Sequence, residues 1–158
     1  MTHGADGLFA ALSLEHRTRL LAVARETNIP ADTVIFEEDE PAERFWIIRS
    51  GRVALDFQIP GRGSVIVETI GPGELLGWSW LFEPFHWQLG ARTLEPVAAH
   101  EFDATTVRGL VEADQEFGLA LTTRVATTIG QRLRACRARL IDMYEPLGVA
   151  PGGGGIGP

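Results

Sequence analysis

The pattern of apolar and polar positions divides the chain into a β-rich middle between helical ends. Ser13 is typical of an N-cap, and the spacing of apolar residues after it predicts a helix through about Glu26. From Thr33 to about Phe102, short apolar runs alternate with turn residues, which predicts strands. The predicted strands cover residues 34–36, 45–48, 53–57, 65–70, 91–93 and 97–102. Several short strands at this spacing favour a β-sandwich, a jelly roll or a barrel.

Two further helices are predicted after the strands. Asp103 is typical of an N-cap, so one helix is predicted over residues 104–112, and a longer one over residues 114–144. In the second half of the longer helix, apolar residues recur at intervals of 4, 3, 4 and 3, at Ile129, Leu133, Cys136, Leu140 and Met143. This spacing is typical of a coiled-coil seam, and we predict dimerisation through it. Because the seam spans only about two heptads, the alternative is a helix that packs on its own sheet.

A stretch rich in glycine and tryptophan, residues 71–88, lies between two predicted strands. Three glycines and a proline in its first seven residues predict tight turns, because glycine accepts positive φ and proline presets φ. Three of the four tryptophans follow, together with two phenylalanines. Aromatic walls with a few polar groups are typical of small-ligand sites. The alternative is a plug of core side chains between two strands.

The length, the charge and the cysteine content limit the kind of protein that this sequence encodes. With 158 residues, 45% of them hydrophobic, the chain suits one globular domain. The net charge of −7 argues against sequence-independent binding to nucleic acid or to an anionic membrane. A single cysteine, the lack of a long apolar run and the lack of a signal-peptide pattern favour a soluble cytoplasmic protein. Residues 1–146 are expected to form the domain, and the Gly- and Pro-rich residues 147–158 a flexible tail.

No residue pattern in the sequence predicts catalysis or a metal site. The four histidines lack metal-ligand spacing, and the acidic run from Glu37 to Glu40 lacks the spaced ligands of a calcium loop. The sequence contains no nucleophile motif, Walker loop or dinucleotide fingerprint. We therefore expect a protein that is not an enzyme and that uses no metal or cofactor.

The order of the predicted elements resembles the cyclic-nucleotide-binding domain family, the effector domain of catabolite-activator-type regulators. The segments that carry the resemblance are residues 8–13, 29–36, 41–48, 50–53, 71–77 and 94–97, with Asp32 where the family usually has glycine. The resemblance implies a mainly β fold, a double-stranded β-helix or jelly roll over residues 30–103. It also implies an N-terminal helix, and C-terminal helices over residues 104–144. Residues 71–77 resemble the segment that leads into the family's phosphate-binding cassette.

The cassette departs from the family's pattern at the residues that would bind the ligand. The family usually has a glutamate that holds the ribose 2′-hydroxyl, but here Gly77 is followed by Trp78. The family's phosphate-binding arginine and its serine or threonine fall on Trp87 and Gln88. A phosphate taken out of water needs charge or several donors, and losing one charge-assisted contact costs about 1.5–3 kcal/mol. We therefore predict that tight cyclic AMP binding is lost, unless Arg92 or backbone N–H groups substitute.

The resemblance and its departures together predict a stand-alone regulatory or sensor module. We expect a homodimer through the long helix, a more apolar ligand than a cyclic nucleotide, and a protein partner that responds to it. Few residues follow Tyr144, so no direct DNA binding is expected, and no membrane association either. The alternatives are a cyclic AMP or cyclic GMP domain that uses Arg92, and a ligand-free dimeric scaffold. The candidate ligand-binding residues are Gly73, Glu74, Leu75, Leu76, Gly77, Trp78, Ser79, Trp80, Trp87, Gln88 and Arg92.

Overall fold

Short strands that turn one face to the core build most of this protein. The computed structural model describes residues 7–144; the predicted tail, residues 147–158, lies outside them. The strands are β1 (Arg25–Ile29), β2 (Val34–Phe36), β3 (Arg44–Ser50), β4 (Val53–Ile59), β5 (Gly63–Ile70), β6 (Leu75–Leu76), β7 (Gly90–Thr93) and β8 (Val97–Asp103). The helices are α1 (Leu8–Ala11), α2 (Leu14–Leu21), α3 (Ala104–Ala113) and α4 (Gln115–Tyr144), with a 3-10 turn at Ser79–Leu81.

The strands form two antiparallel sheets that enclose the core. The strand order is β1-β8-β3-β6 in one sheet and β2-β7-β4-β5 in the other. Large apolar side chains from both sheets, such as Phe45, Val53 and Phe102, are fully buried between them. Most strands that follow one another in the sequence lie in opposite sheets, as in a double-stranded β-helix. The predicted jelly roll with flanking helices and a long C-terminal helix is confirmed.

The helix predicted through Glu26 is shorter, and this part of the prediction was wrong. α2 ends at Leu21, and the next residues turn into β1. β1 pairs with β8 along its whole length, from Arg25 opposite Glu101 to Ile29 opposite Val97. Pairing with β8 at the edge of the sheet therefore outweighs the local preference of these residues for a helix. The polar sequence of β1 gives little indication that it forms a strand. The two-residue strand β6 was not predicted either.

The longest helix, α4, packs one face on its own domain and leaves another face exposed. The residues of its buried face are Phe117, Gly118, Leu121, Val125 and Arg132. Within the predicted seam, Ile129 is half-buried against the core and Cys136 is half-buried. The other three seam residues are 54–70% exposed: Leu133, Leu140 and Met143. At the start of the seam, the helix therefore packs on its own domain, which was the alternative to dimerisation. The rest of the seam lies on the surface.

The short helix α1 is attached to the turn that precedes β6. The Leu8 N–H donates to the Gly73 carbonyl oxygen at 3.2 Å, and a Cβ on Gly7 would lie 2.4 Å from the same oxygen. Glycine at position 7 therefore permits this close approach. Among residues 7–144, no helix is both long and apolar enough to cross a membrane.

Candidate ligand-binding cassette

Residues 71–88, which we call the cassette, begin with a tight turn. Gly73 has φ of 84°, and the Glu74 carboxylate accepts a hydrogen bond from the Gly71 N–H at 2.6 Å. Leu75 and Leu76 then form β6, where they are buried against β3. These predicted site residues thus build the frame of the cassette, and Glu74 holds the turn.

Trp80 is a core residue of the cassette. Its ring is fully buried and stacks on Phe45 with 4.0 Å between the ring centroids. Its indole N–H donates to the Gly77 carbonyl oxygen at 2.9 Å, so the polar group of the side chain is satisfied. The interpretation as a core plug therefore describes Trp80.

Trp87 fills the interior of the cassette. Its ring stacks on Phe36, with centroids 3.9 Å apart and planes 14° apart. The Trp46 ring packs beside both, with its centroid 5.8 Å from that of Phe36 and 6.5 Å from that of Trp87. The outer edge of the six-membered ring of the indole lies against Gly77, where an added Cβ would come within 2.6 Å of it. Gly77 also has φ of 94°, so both its backbone and its lack of a side chain suit this position. The space left beside Trp87 is about 20 Å³, enough for one water molecule.

The loop that carries Trp87 is attached to the acidic run 37–40. The Trp87 N–H donates to the Glu40 carbonyl oxygen at 2.9 Å, and the Asp39 N–H donates to the Trp87 carbonyl oxygen at 2.9 Å. The guanidinium of Arg108 in α3 lies 4.7 Å above the Phe85 ring and donates to the Trp80 carbonyl oxygen at 2.7 Å. The backbone of the acidic run thus supports the loop of the cassette.

Arg132 of α4 reaches the cassette from outside it. Its guanidinium donates to the Leu75 carbonyl oxygen, and its Nε lies 3.6 Å from the Glu68 carboxylate. Only 9% of the residue is exposed, and it lines the small cavity beside Trp87. Arg132 is not among the ligand-binding residues predicted from the sequence. A signal was available, because Arg132 lies seven residues after the buried Val125 on the same helical face.

Burial controls the ionisation of this arginine and of its acidic neighbour. Desolvation raises the pKa of Glu68; Arg132 lowers it, and Glu74 raises it further. Desolvation likewise lowers the pKa of Arg132, opposed by Glu68 and Glu74. A guanidinium stays protonated in proteins, so Arg132 brings a positive charge to the cassette.

The remaining predicted site residues lie at the edge of the cassette or away from it. Ser79 is buried, Trp78 is half-buried and Gln88 is exposed, and all three line the small cavity. Arg92 is exposed on β7 and lines a groove on the outer face of its sheet, together with Val34. Its neighbours Ala91 and Thr93 are buried, as strand alternation requires. The structure therefore does not bring Arg92 to the cassette.

Comparison with known proteins identifies the domain. The sequence profile described as "Cyclic nucleotide-binding domain" matches residues 26–114, more than half of the chain. The chain belongs to this family. The match runs from β1 to the end of α3 and so includes the whole cassette of this cyclic nucleotide-binding domain. The resemblance noted in the sequence is confirmed, and the family is one of regulatory domains.

The relatives of this cyclic nucleotide-binding domain include transcriptional regulators. The CRP-like cAMP-activated global transcriptional regulator of Mycobacterium tuberculosis (strain CDC 1551 / Oshkosh) is 23% identical over 137 residues, 87% of this chain and 59% of the relative. This chain thus spans about three fifths of the length of the curated relatives that it matches.

Solved structures give the same result at the level of the fold. The N-terminal domain of a transcriptional regulator from Streptomyces coelicolor A3(2) is 26% identical, with a TM-score of 0.66, covering 78% of this chain and 89% of that one. A cyclic nucleotide-binding domain from Methylobacillus flagellatus KT superposes with a TM-score of 0.76 at 17% identity, covering 84% of this chain and 74% of that one. The second likeness shows the fold alone.

Proposed function

We propose that this protein is a regulatory module whose cassette is closed by its own side chains and does not bind cyclic nucleotides tightly. The observation that carries the proposal is the position of Trp87, stacked on Phe36 and seated on Gly77. Because only about 20 Å³ remains free beside Trp87, a nucleotide bound in the interior of the cassette must first displace this side chain. Ligand pockets usually measure about 300–1,000 Å³.

The charges around the cassette support the same proposal. Arg132 is the one cation among the residues that line the cavity, and it already donates to the Leu75 carbonyl oxygen. A cyclic phosphate would therefore meet one partly engaged guanidinium and no arginine from the cassette itself. The alternative of cyclic nucleotide binding through Arg92 lacks support, because Arg92 lies on the outer face of its sheet.

We also propose that α4 makes the protein a homodimer. The apolar repeat begins earlier than the sequence interpretation placed it, because Leu119 is 72% exposed on the same face as Leu133. The residues of this face recur every three or four positions: Leu119, Thr122, Ala126, Ile129, Leu133, Cys136, Leu140 and Met143. Such a repeat over about three and a half heptads is typical of a coiled coil. In this proposal a protein partner responds to the dimer.

Calorimetric titration with cyclic AMP and cyclic GMP tests the first part of the proposal. We expect no saturable heat below millimolar nucleotide for the wild type. The Trp87→Ala variant is the matched control, because it frees space without adding a positive charge, and we expect no tight binding there either. Saturable micromolar binding of either nucleotide to the wild type would contradict the proposal.

A further inference from the structure

The small cavity beside Trp87 joins a flat apolar slot to a group of polar side chains. The slot is the space that the Trp87 ring occupies between Phe36 and Gly77. At its end, three polar side chains line the cavity: Ser79, Gln88 and Arg132. Aromatic walls with a few convergent polar groups are typical of small-ligand sites.

The slot has the shape of a planar ring. The Phe36 and Trp87 planes are nearly parallel, and the outer edge of the indole meets Gly77. The backbone of Trp87 is held on both sides by hydrogen bonds to residues 39 and 40, which do not involve the indole. These backbone bonds do not depend on the position of the indole, so the loop stays attached when the slot is emptied.

The polar end of the slot suits a carboxylate. Arg132 carries five N–H donors, and within residues 7–144 its guanidinium has one hydrogen bond, to the Leu75 carbonyl oxygen. Its ion pair with Glu68 is loose, at 3.6 Å. The Ser79 hydroxyl makes no hydrogen bond to another described residue, so it also remains available. A buried guanidinium beside a free hydroxyl binds a planar anion through charge-assisted hydrogen bonds.

We infer that the cassette binds a small planar aromatic carboxylate, whose ring replaces that of Trp87 and whose carboxylate contacts Arg132 and Ser79. This inference rests on the proposed function, because it requires a cassette that cyclic nucleotides do not occupy. The emptied slot offers the volume of one indole and one water molecule, which suits a single fused ring with a small acidic group.

Indole-3-acetate is the probe, with neutral indole as its matched partner without the carboxylate. In protein labelled with 5-fluorotryptophan, we expect the Trp87 fluorine signal to shift on addition of indole-3-acetate, with the signal assigned from the Trp87→Phe variant. Trp87→Ala empties the slot beforehand, so we expect it to bind indole-3-acetate at least about tenfold more tightly than the wild type.

Removing the charge tests the polar end of the site. In the Trp87→Ala background, Arg132→Gln is expected to weaken indole-3-acetate binding at least about tenfold and to leave indole binding unchanged. Arg132→Lys, which keeps the charge, should restore part of the preference for the acid. If Trp87→Ala does not fold, Trp87→Leu replaces it in the same comparison.

The outcomes separate this inference from the proposed function. Equal affinity of the Trp87→Ala variant for indole and indole-3-acetate would overturn the carboxylate site. Absence of indole-3-acetate binding in both the wild type and the emptied variant would overturn the inference and, with cyclic AMP also inert, would leave the proposed function standing. Tight cyclic AMP binding in the same titration would overturn both.

Discussion

Trp87 occupies the cassette because the residue beneath its ring is a glycine. A Cβ on Gly77 would approach the indole to 2.6 Å and would also meet a backbone with φ of 94°. Gly61 provides a comparison within the same chain, because it has φ of 79° and nothing within 4 Å of a Cβ. The two positions therefore separate the effect of backbone conformation from that of the close contact.

Gly77→Ala is expected to destabilise the protein by about 1–3 kcal/mol more than Gly61→Ala does, because it adds an overlap with the Trp87 ring. Urea unfolding of the two variants gives both free energies. In a Trp87→Ala background the overlap is absent, so the extra cost of Gly77→Ala should largely disappear. An unchanged cost in that background would contradict the contact described here.

The site could be predicted from the sequence at some residues but not at others. The departure of Trp78, Trp87 and Gln88 from the family's pattern is visible in the sequence, and so is the possibility of a cassette filled by aromatic rings. The contact between Arg132 and Leu75 joins residues 57 positions apart, and local spacing carries no information on such a contact. The stacking of Phe36 on Trp87 was not predicted for the same reason.

At the scale of elements, the junction between β8 and α3 depends on Asp103. Its carboxylate accepts hydrogen bonds from the Thr106 N–H and hydroxyl, both at 2.9 Å. These bonds hold the pKa of Asp103 below its ordinary value of 3.8, with the backbone N–H as the largest cause. The contribution of this cap is therefore fully present above pH 3.8 and is lost as the pH falls through the lowered pKa.

Asp103→Ala is expected to destabilise the protein by about 0.5–2 kcal/mol at neutral pH, because the first turn of α3 loses its cap. Asp103→Asn is the control, since it keeps an acceptor and loses the ionisation. Thermal unfolding at neutral pH and below pH 3.8 should show that the loss caused by alanine shrinks in acid. A loss that is the same at both pH values would contradict the role of the carboxylate.

The order of elements could be predicted because turn residues mark most of the strand boundaries. β1 was missed because it is a polar edge strand whose stability comes from pairing with β8. β6 was missed because two residues carry no detectable period. The order of the sheets was available only through the resemblance to a known family, since pairing between distant strands is not encoded in local patterns.

At the scale of the whole molecule, one face of α4 leaves large apolar side chains exposed. Leu119 and Leu133 are each at least 70% exposed, and they lie fourteen residues apart on one helical face. Large exposed apolar patches mark interaction sites. Pairing of two copies along this face is therefore the expected use of the surface.

Leu133→Glu is expected to shift the protein from dimer to monomer in sedimentation equilibrium, because it places a charge in the centre of the apolar face. Thr127→Glu, on an exposed part of α4 outside that face, should leave the dimer intact. If the two copies of α4 run parallel, oxidation should also cross-link Cys136 to its copy, since both lie at the seam. A wild-type protein that sediments as a monomer at tens of micromolar would contradict the proposed dimer.

The contact between the Trp87 indole and Gly77 limits which residues can occur together at these two positions in related sequences. A side chain at position 77 would displace the large ring at position 87, whereas loss of the ring leaves the backbone preference for glycine in place, because φ is 94°. An aromatic residue at position 87 should therefore occur in related sequences only together with glycine at position 77, and eleven residues of alignment suffice to test this.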